Sequence, residues 1–185
     1  MTTRRQRRAL ARSETQAREW AHNAARSLVL ALCDGQGLPA TPFRVGVVLG
    51  PGEDPWVECP ARFLQETPLP GPEVDRQWPP IRRWLVTSER IVGRLGDGRL
   101  YGYRWDQMVG CRVDLTGGCE RVGVDLFDGT PLTWSGPAVA PMAVAAVAIL
   151  HGPGALVHHP GLSILRCTDY TSVSAGSPRG VPRRG

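Results

Sequence analysis

The stretch from Trp84 to Gly152 limits the architecture more than any other part of the chain. Short β-favouring runs alternate there with turn signals every few residues: Ser88-Glu89-Arg90, Gly96-Asp97-Gly98, Thr116-Gly117-Gly118 and Asp128-Gly129. Asp-Gly between alternating apolar residues is a hairpin signal, because both turn positions favour positive φ. The runs 84–87, 91–95, 100–105, 108–115, 121–127 and 130–134 are too short for helices and read as strands. In 121–127, Val122, Val124 and Leu126 fall on one face, with Gly123 and Asp125 on the other. Ser135-Gly136-Pro137 then opens an apolar segment, 138–150, in which Val139, Met142, Ala143, Ala146, Val147 and Leu150 supply a wide apolar face. Ser135 is the expected helix cap and Pro137 the proline tolerated near the first turn. The segment is too short to span a bilayer and fits a buried core helix that ends at Gly152-Pro153.

Upstream, 43–49 (FRVGVVL) alternates loosely and predicts a first strand. A turn cluster follows at 50–55, and 56–64 (WVECPARFL) predicts a second strand, with Pro60 marking an edge or a bulge. Residues 66–80 hold five prolines and read as a loop or insertion. Residues 5–33 contain neither Pro nor Gly and are rich in Ala, Arg, Glu and Gln, which predicts one long helix. Its apolar stripe, Trp20, Ala24, Leu28 and Leu32 with Ala17, Ala21 and Ala25 beside it, lies in the second half only. That stripe would dock on the β domain or on a second copy of the chain, making a homo-oligomer; the alternative is a membrane-surface helix. Gly35 is placed to terminate the helix. The expected organisation is a basic N-terminal amphipathic helix over 1–35, a main domain over 43–152, and a C-terminal extension over 153–185, disordered after about residue 168.

Charge is distributed unevenly. Residues 1–35 carry seven Arg against Glu14, Glu19 and Asp34, a net +4, and residues 166–185 carry four Arg against Asp169, a net +3. The middle, with eleven Arg and thirteen acids, is −2. Basic ends of this kind attract nucleic acid, acidic lipid or acidic protein. The N-terminal patch is Arg4, Arg5, Arg7, Arg8 and Arg12; at the other end the basic residues fall within 179–184. All 22 basic residues are Arg, which fits a G+C-rich coding bias and removes every lysine-based chemistry, including Schiff bases and the phosphate-loop lysine.

The chemistry-bearing residues form no recognisable catalytic set. The five cysteines, Cys33, Cys59, Cys111, Cys119 and Cys167, are odd in number and contain no Cys-x-x-Cys pair. Neither a disulfide framework nor a zinc motif is expected, and a reduced, cytoplasmic protein is the simplest account. No apolar run leads to a cleavage site near the Arg-rich N-terminus, so no secretory signal is expected. Ser135 lacks a Gly-x-Ser-x-Gly elbow. His151, His158, His159 and Cys167 match no metal spacing, and His158-His159-Pro160 reads as a surface turn. Asp114, Asp125, Asp128, Glu53 and Asp54 read as solvated turn acids. The expectation is a non-enzyme with no cofactor and no metal. One local surface is a candidate for a partner or an anion: Arg82, Arg83, Arg90, Arg94, Arg99 and Arg104, interleaved with Trp84, Tyr101, Tyr103 and Trp105. Strands alternate sides, so the preferred reading is an ordinary half-exposed sheet with Arg outward and Trp inward.

Several segments resemble bacterial pleckstrin-homology-like (PH-like) and GRAM-like domains. Leu85-Val86-Thr87-Ser88-Glu89-Arg90-Ile91-Val92 resembles their "hydrophobic-x-T-x-x-R-hydrophobic" hairpin, and Gly50-Pro51-Gly52-Glu53 resembles their early "pGE" turn. Trp105-Asp106-Gln107-Met108-Val109-Gly110-Cys111 resembles the "W-x-x-I-x-x-V" strand entry, and Ser135-Gly136-Pro137 the last strand-to-helix junction. The resemblance covers about residues 43–152 and implies a mainly β, α+β fold: an antiparallel sandwich or barrel of about seven short strands with a C-terminal capping helix. It also implies binding of phosphoinositides, acidic membranes or peptides. The lipid-binding members use basic residues in the loop after the first strand, and here 50–55 is acidic. A protein or peptide partner, held at an open strand edge or between helix and sheet, is therefore expected. The alternative is peripheral binding to anionic membrane, at its inner face, or to nucleic acid through the basic ends.

Overall fold

An apolar helix with no polar face must be covered on every side, and the computed structural model, which describes residues 4–35, 42–65, 81–94, 98–116 and 119–166, is layered around one. Helix α1 spans Arg4–Cys33. Strands β1 (Pro55–Gln65), β2 (Arg82–Thr87), β3 (Arg90–Arg94), β4 (Leu100–Arg104), β5 (Met108–Asp114), β6 (Arg121–Leu126) and β7 (Pro131–Ser135) follow. A 3-10 turn, Trp105–Gln107, joins β4 to β5. Helices α2 (Ala140–His151) and α3 (Ala155–His158) and a 3-10 segment, Pro160–Leu165, complete the described chain. Every residue of α2 from Ala140 to Ala148 is buried, with α1 packed on one side and the sheet on the other. Burying Met142, Val144 and Val147 contributes about 1.5–3 kcal/mol each, and the alanines between them let α1 approach closely.

The strands form one antiparallel sheet in the order β4-β3-β2-β1-β7-β6-β5, a mainly β, α+β fold. The outermost strands β4 and β5 do not pair with each other, so the sheet is open rather than a closed barrel. Its pivot is β1, which pairs with β2 from Pro55 to Ala61 and with β7 from Arg62 to Gln65. The expectation for Pro60 is thereby corrected: β1 is a central strand, and its register shift lies between Pro55 and Val57. Proline is tolerated there because pairing with β7 begins only two residues later, at Arg62.

The core face carries an aromatic cluster of Phe63, Trp84, Tyr103 and Trp134. Phe63 stacks at a tilt on Trp84 and Trp134, with ring centroids 4.7 and 5.2 Å apart, and Trp84 meets Trp134 edge-on at 5.5 Å. Trp84 lies flat over Gly93, its register partner on β3, where a Cβ would stand 2.5 Å from the indole. Residues 155–165 add Leu156, Leu162 and Leu165 to the same core. Gly161 is needed for this, since a Cβ there would lie 2.2 Å from the Val113 carbonyl oxygen on β5.

Three further expectations are corrected. Residues 43–49 join no ladder; they form an extended strap across the outer face of the sheet. Val45 is buried there against Leu85 and Val92, with Phe43, Val47 and Leu49 packed around them. The strap alternates like a strand because only one of its sides is covered. Ser135 does not cap the last helix but ends β7. The turn through Gly136, whose N–H donates to the Glu120 carbonyl (3.0 Å), sets α2 back to Ala140, with Val139 at the cap and Pro141 in the first turn. Trp20 does not belong to the docked face of α1: Ala21, Ala25 and Leu28 are buried, whereas Trp20 is 56% exposed. Among the described residues, no helix is long and apolar enough to cross a membrane. The Pro-rich stretch 66–80, the tail after 168 with its arginines at 179–184, and Cys167 lie outside the described residues.

Candidate functional site

Alternation along the strands sorts the six central arginines. Arg83, Arg90, Arg94 and Arg104 share the outer face with Leu85 and Val92, while Trp84 and Tyr103 point to the core. Arg82 falls on the core-side alternation, and Arg99 is exposed just before β4. Arginine and aromatic groups therefore do not make one surface.

The outer arginines are engaged by the chain itself. Arg90 makes a fork with Glu53, Nε to Oε1 at 2.8 Å and Nη2 to Oε2 at 3.0 Å, and Nη2 also donates to the Val48 carbonyl at 3.0 Å. Arg94 donates to the Gly98 carbonyl (2.6 Å) and to the strap carbonyl of Gly46 (3.3 Å). Arg83 pairs with Glu58 at 2.9 Å, and Glu58 also accepts the Arg44 N–H of the strap. Arg104 pairs with Asp106 and Glu89. The "pGE" turn and the "T-x-x-R" hairpin thus interlock: Glu53 also accepts from the Thr87 hydroxyl (2.7 Å) and from the Gly50 N–H (2.8 Å). Burial pushes the Glu53 carboxyl up, but the hydrogen bonds from Arg90, Gly50 and Thr87 and the charge of Arg90 outweigh it, and its pKa lies below the ordinary value.

Beside this face lies a groove of about 530 Å³ between the second half of α1 and the start of β1. Trp20, Ala24, Leu28 and Ala31 of α1 form one wall, and Trp56 and Val57 of β1 the other. Arg44, Glu58 and Arg83 stand on its rim. The Arg44 guanidinium pairs with no acid among the described residues. Sequence reasoning assigns Trp20 to a docking stripe; the missed signal is its angular offset from Ala21, Ala25 and Leu28, which places it at the margin of the buried face.

A second arrangement has no signature in the sequence. Glu120, in the β5–β6 connection, is fully buried under α1. Its Oε1 lies 2.9 Å from both Arg18 Nε and His22 Nε2, and its Oε2 has no hydrogen-bond partner among the described residues. Burial raises the Glu120 carboxyl, with His22 and Arg18 opposing. The cluster pins α1 to the sheet, and Arg26 ties it to the C-terminal 3-10 segment, its Nε donating to the Leu165 carbonyl at 3.3 Å. No spacing rule could have paired residues 98 positions apart.

Burial pushes the thiol of Cys59 up to about 12, with the nearby Glu58 charge adding, and that of Cys111 up to about 11, which leaves both poor nucleophiles. His151 and His159 stack at 6.4 Å, and His159 Nδ1 accepts the Gly161 N–H, so this pair organises the C-terminal turn. Among the described residues, no group of three or more His, Cys, Asp or Glu is placed to hold a metal ion. At the far end of the molecule, Arg4, Arg5, Arg8 and Arg12 are exposed on α1, whose helix also includes Arg7.

No protein-family model and no curated protein matches this chain.

Proposed function

We propose that the chain is a non-enzymatic, cytoplasmic PH-like module that binds an apolar segment of a protein partner in the groove between α1 and β1. The carrying observation is Trp20, 56% exposed on the wall of a groove whose other lining residues are mostly apolar. An indole left half in water across the groove from a second indole, Trp56, is the kind of anchor that dominates protein interfaces when covered. The rim supports one class of occupant. Glu58 is already matched by Arg83, whereas the Arg44 guanidinium pairs with no acid among the described residues, so the groove suits a peptide with an apolar anchor flanked by an acid. Two antiparallel meanders, β1–β4 and β5–β7, joined through the β1–β7 pairing and followed by a helix, support the PH-like reading, and the internal commitments of Arg83, Arg90, Arg94 and Arg104 favour a peptide over a phosphoinositide on the sheet.

A displayed library of short peptides, selected on the full chain, tests this reading. Enriched peptides should carry an apolar anchor and an acid, and Trp20→Ala or Ala31→Arg should weaken them at least tenfold. Leu100→Arg, on the open edge of β4, should leave them unchanged. Sensitivity to the β4 variant instead, or the absence of enriched peptides, overturns the groove as the site.

A further inference from the structure

The first half of α1 makes no use of the domain it extends from. Every side chain described between Arg4 and Gln16 is exposed, so roughly 20 Å of helix, at 1.5 Å per residue, stands clear of the core. Arg4, Arg8 and Arg12 recur at four-residue spacing and line one side, and Arg5 falls seven residues before Arg12 on the same side. These four line a shallow cleft with Ala9. None of them pairs with an acid among the described residues, and the first turn carries no acidic residue. Four like charges on one side of a helix repel one another, and a polyanion relieves that repulsion.

We propose that this arm binds double-stranded DNA, with the arginine face of α1 on the phosphates of the major groove. The inference is independent of the peptide groove, which lies beyond the arm. An anionic membrane is the less suitable partner, because a helix lying in a bilayer interface needs a continuous apolar face. Between residues 4 and 16 the apolar side chains are Ala9, Leu10 and Ala11, which are adjacent in sequence and point in three directions. A helix whose arginine side carries only the small Ala9 among the charges fits the major groove of B-form DNA, about 12 Å wide. The major groove of duplex RNA is too narrow to admit it. With the arginines on phosphate alone, binding is indifferent to base sequence.

The test is fluorescence anisotropy of labelled 20-base-pair DNA duplexes, two of unrelated sequence, titrated with the full chain across a range of salt. Both duplexes should bind within threefold of each other, with affinity falling steeply as salt rises. Changing Arg4, Arg5, Arg8 and Arg12 together to Gln should make the slope of log K against log salt shallower by about 3.6, at about 0.9 for each phosphate no longer neutralised. Far-UV circular dichroism and the melting temperature of the variant should match the parent, since all four side chains are exposed. An unchanged slope, which would place binding on the C-terminal arginines, or no DNA binding at all, overturns the proposal. So does flotation with phosphatidylglycerol vesicles that depends on the four arginines when DNA binding does not.

Discussion

Arg90 and Glu53, 37 residues apart, meet in a two-pronged ion pair on the outer face of the sheet, at 2.8 and 3.0 Å. The Glu53 side chain is almost wholly buried, so removing Arg90 strands a charge away from water. Arg90→Met should cost about 3 kcal/mol by denaturant unfolding. Arg90→Lys, which keeps the charge but not the fork, should recover less than half of that. In both variants the amides of 43–50 should exchange with solvent faster, because the guanidinium no longer holds the Val48 carbonyl.

Two carboxyls titrate on opposite sides of 4.5. Glu53 is held below 4.5, so its contribution to stability is complete above 4.5 and is lost as pH falls through its folded value. Glu120 is raised, so it takes up a proton on folding, and stability declines as pH rises from 4.5 through its folded value. Denaturation midpoints across pH 3–7 should show Glu53→Gln weakening the dependence below 4.5, where Asp114 and Asp128 also contribute, and Glu120→Gln removing the decline in stability as pH rises from 4.5. The reverse assignment would contradict the structure.

Gly93→Ala should destabilise the fold by about 2–3 kcal/mol through overpacking against Trp84. The cost should shrink in a Gly93→Ala, Trp84→Leu double variant relative to the sum of the singles, because the two residues touch. Additive melting shifts would show that the clash is relieved elsewhere.

Thiol labelling should follow burial. Cys33 and Cys119 are exposed and should react with iodoacetamide under native conditions, with Cys111 slower. Cys59, buried with its thiol near 12, should label only after unfolding. Peptide mass mapping distinguishes the four sites.

The strands from β2 to β7 are legible in the sequence because turn residues punctuate them, but Asp128-Gly129 marks a three-residue turn over 127–129 rather than a two-residue one: the Gly129 N–H bonds to the Leu126 carbonyl, and Gly129 takes positive φ while Asp128 does not. Residues 43–49 mislead because a period of two reports one-sided burial, and a strap lying on a sheet is buried on one side just as a strand is. Local composition misplaces the start of α2, since Ser135 and Pro137 are good capping residues with a competing use: Gly136 must bond to Glu120 before the chain can turn. The groove and the Glu120 cluster depend on where α1 lands, and local composition carries no information about that. The helix itself is plain in the sequence, but its partner is not.

The strap is held by the sheet at its carbonyls. Arg90 and Arg94 grasp the backbone oxygens of Val48 and Gly46, so the Val48 side chain takes no part in the hold. Val48, 89% exposed, is therefore free to vary. That makes it a natural attachment point, where a dye, a spin label or a crosslinker can be carried on the outer face while the strap stays fastened beneath it.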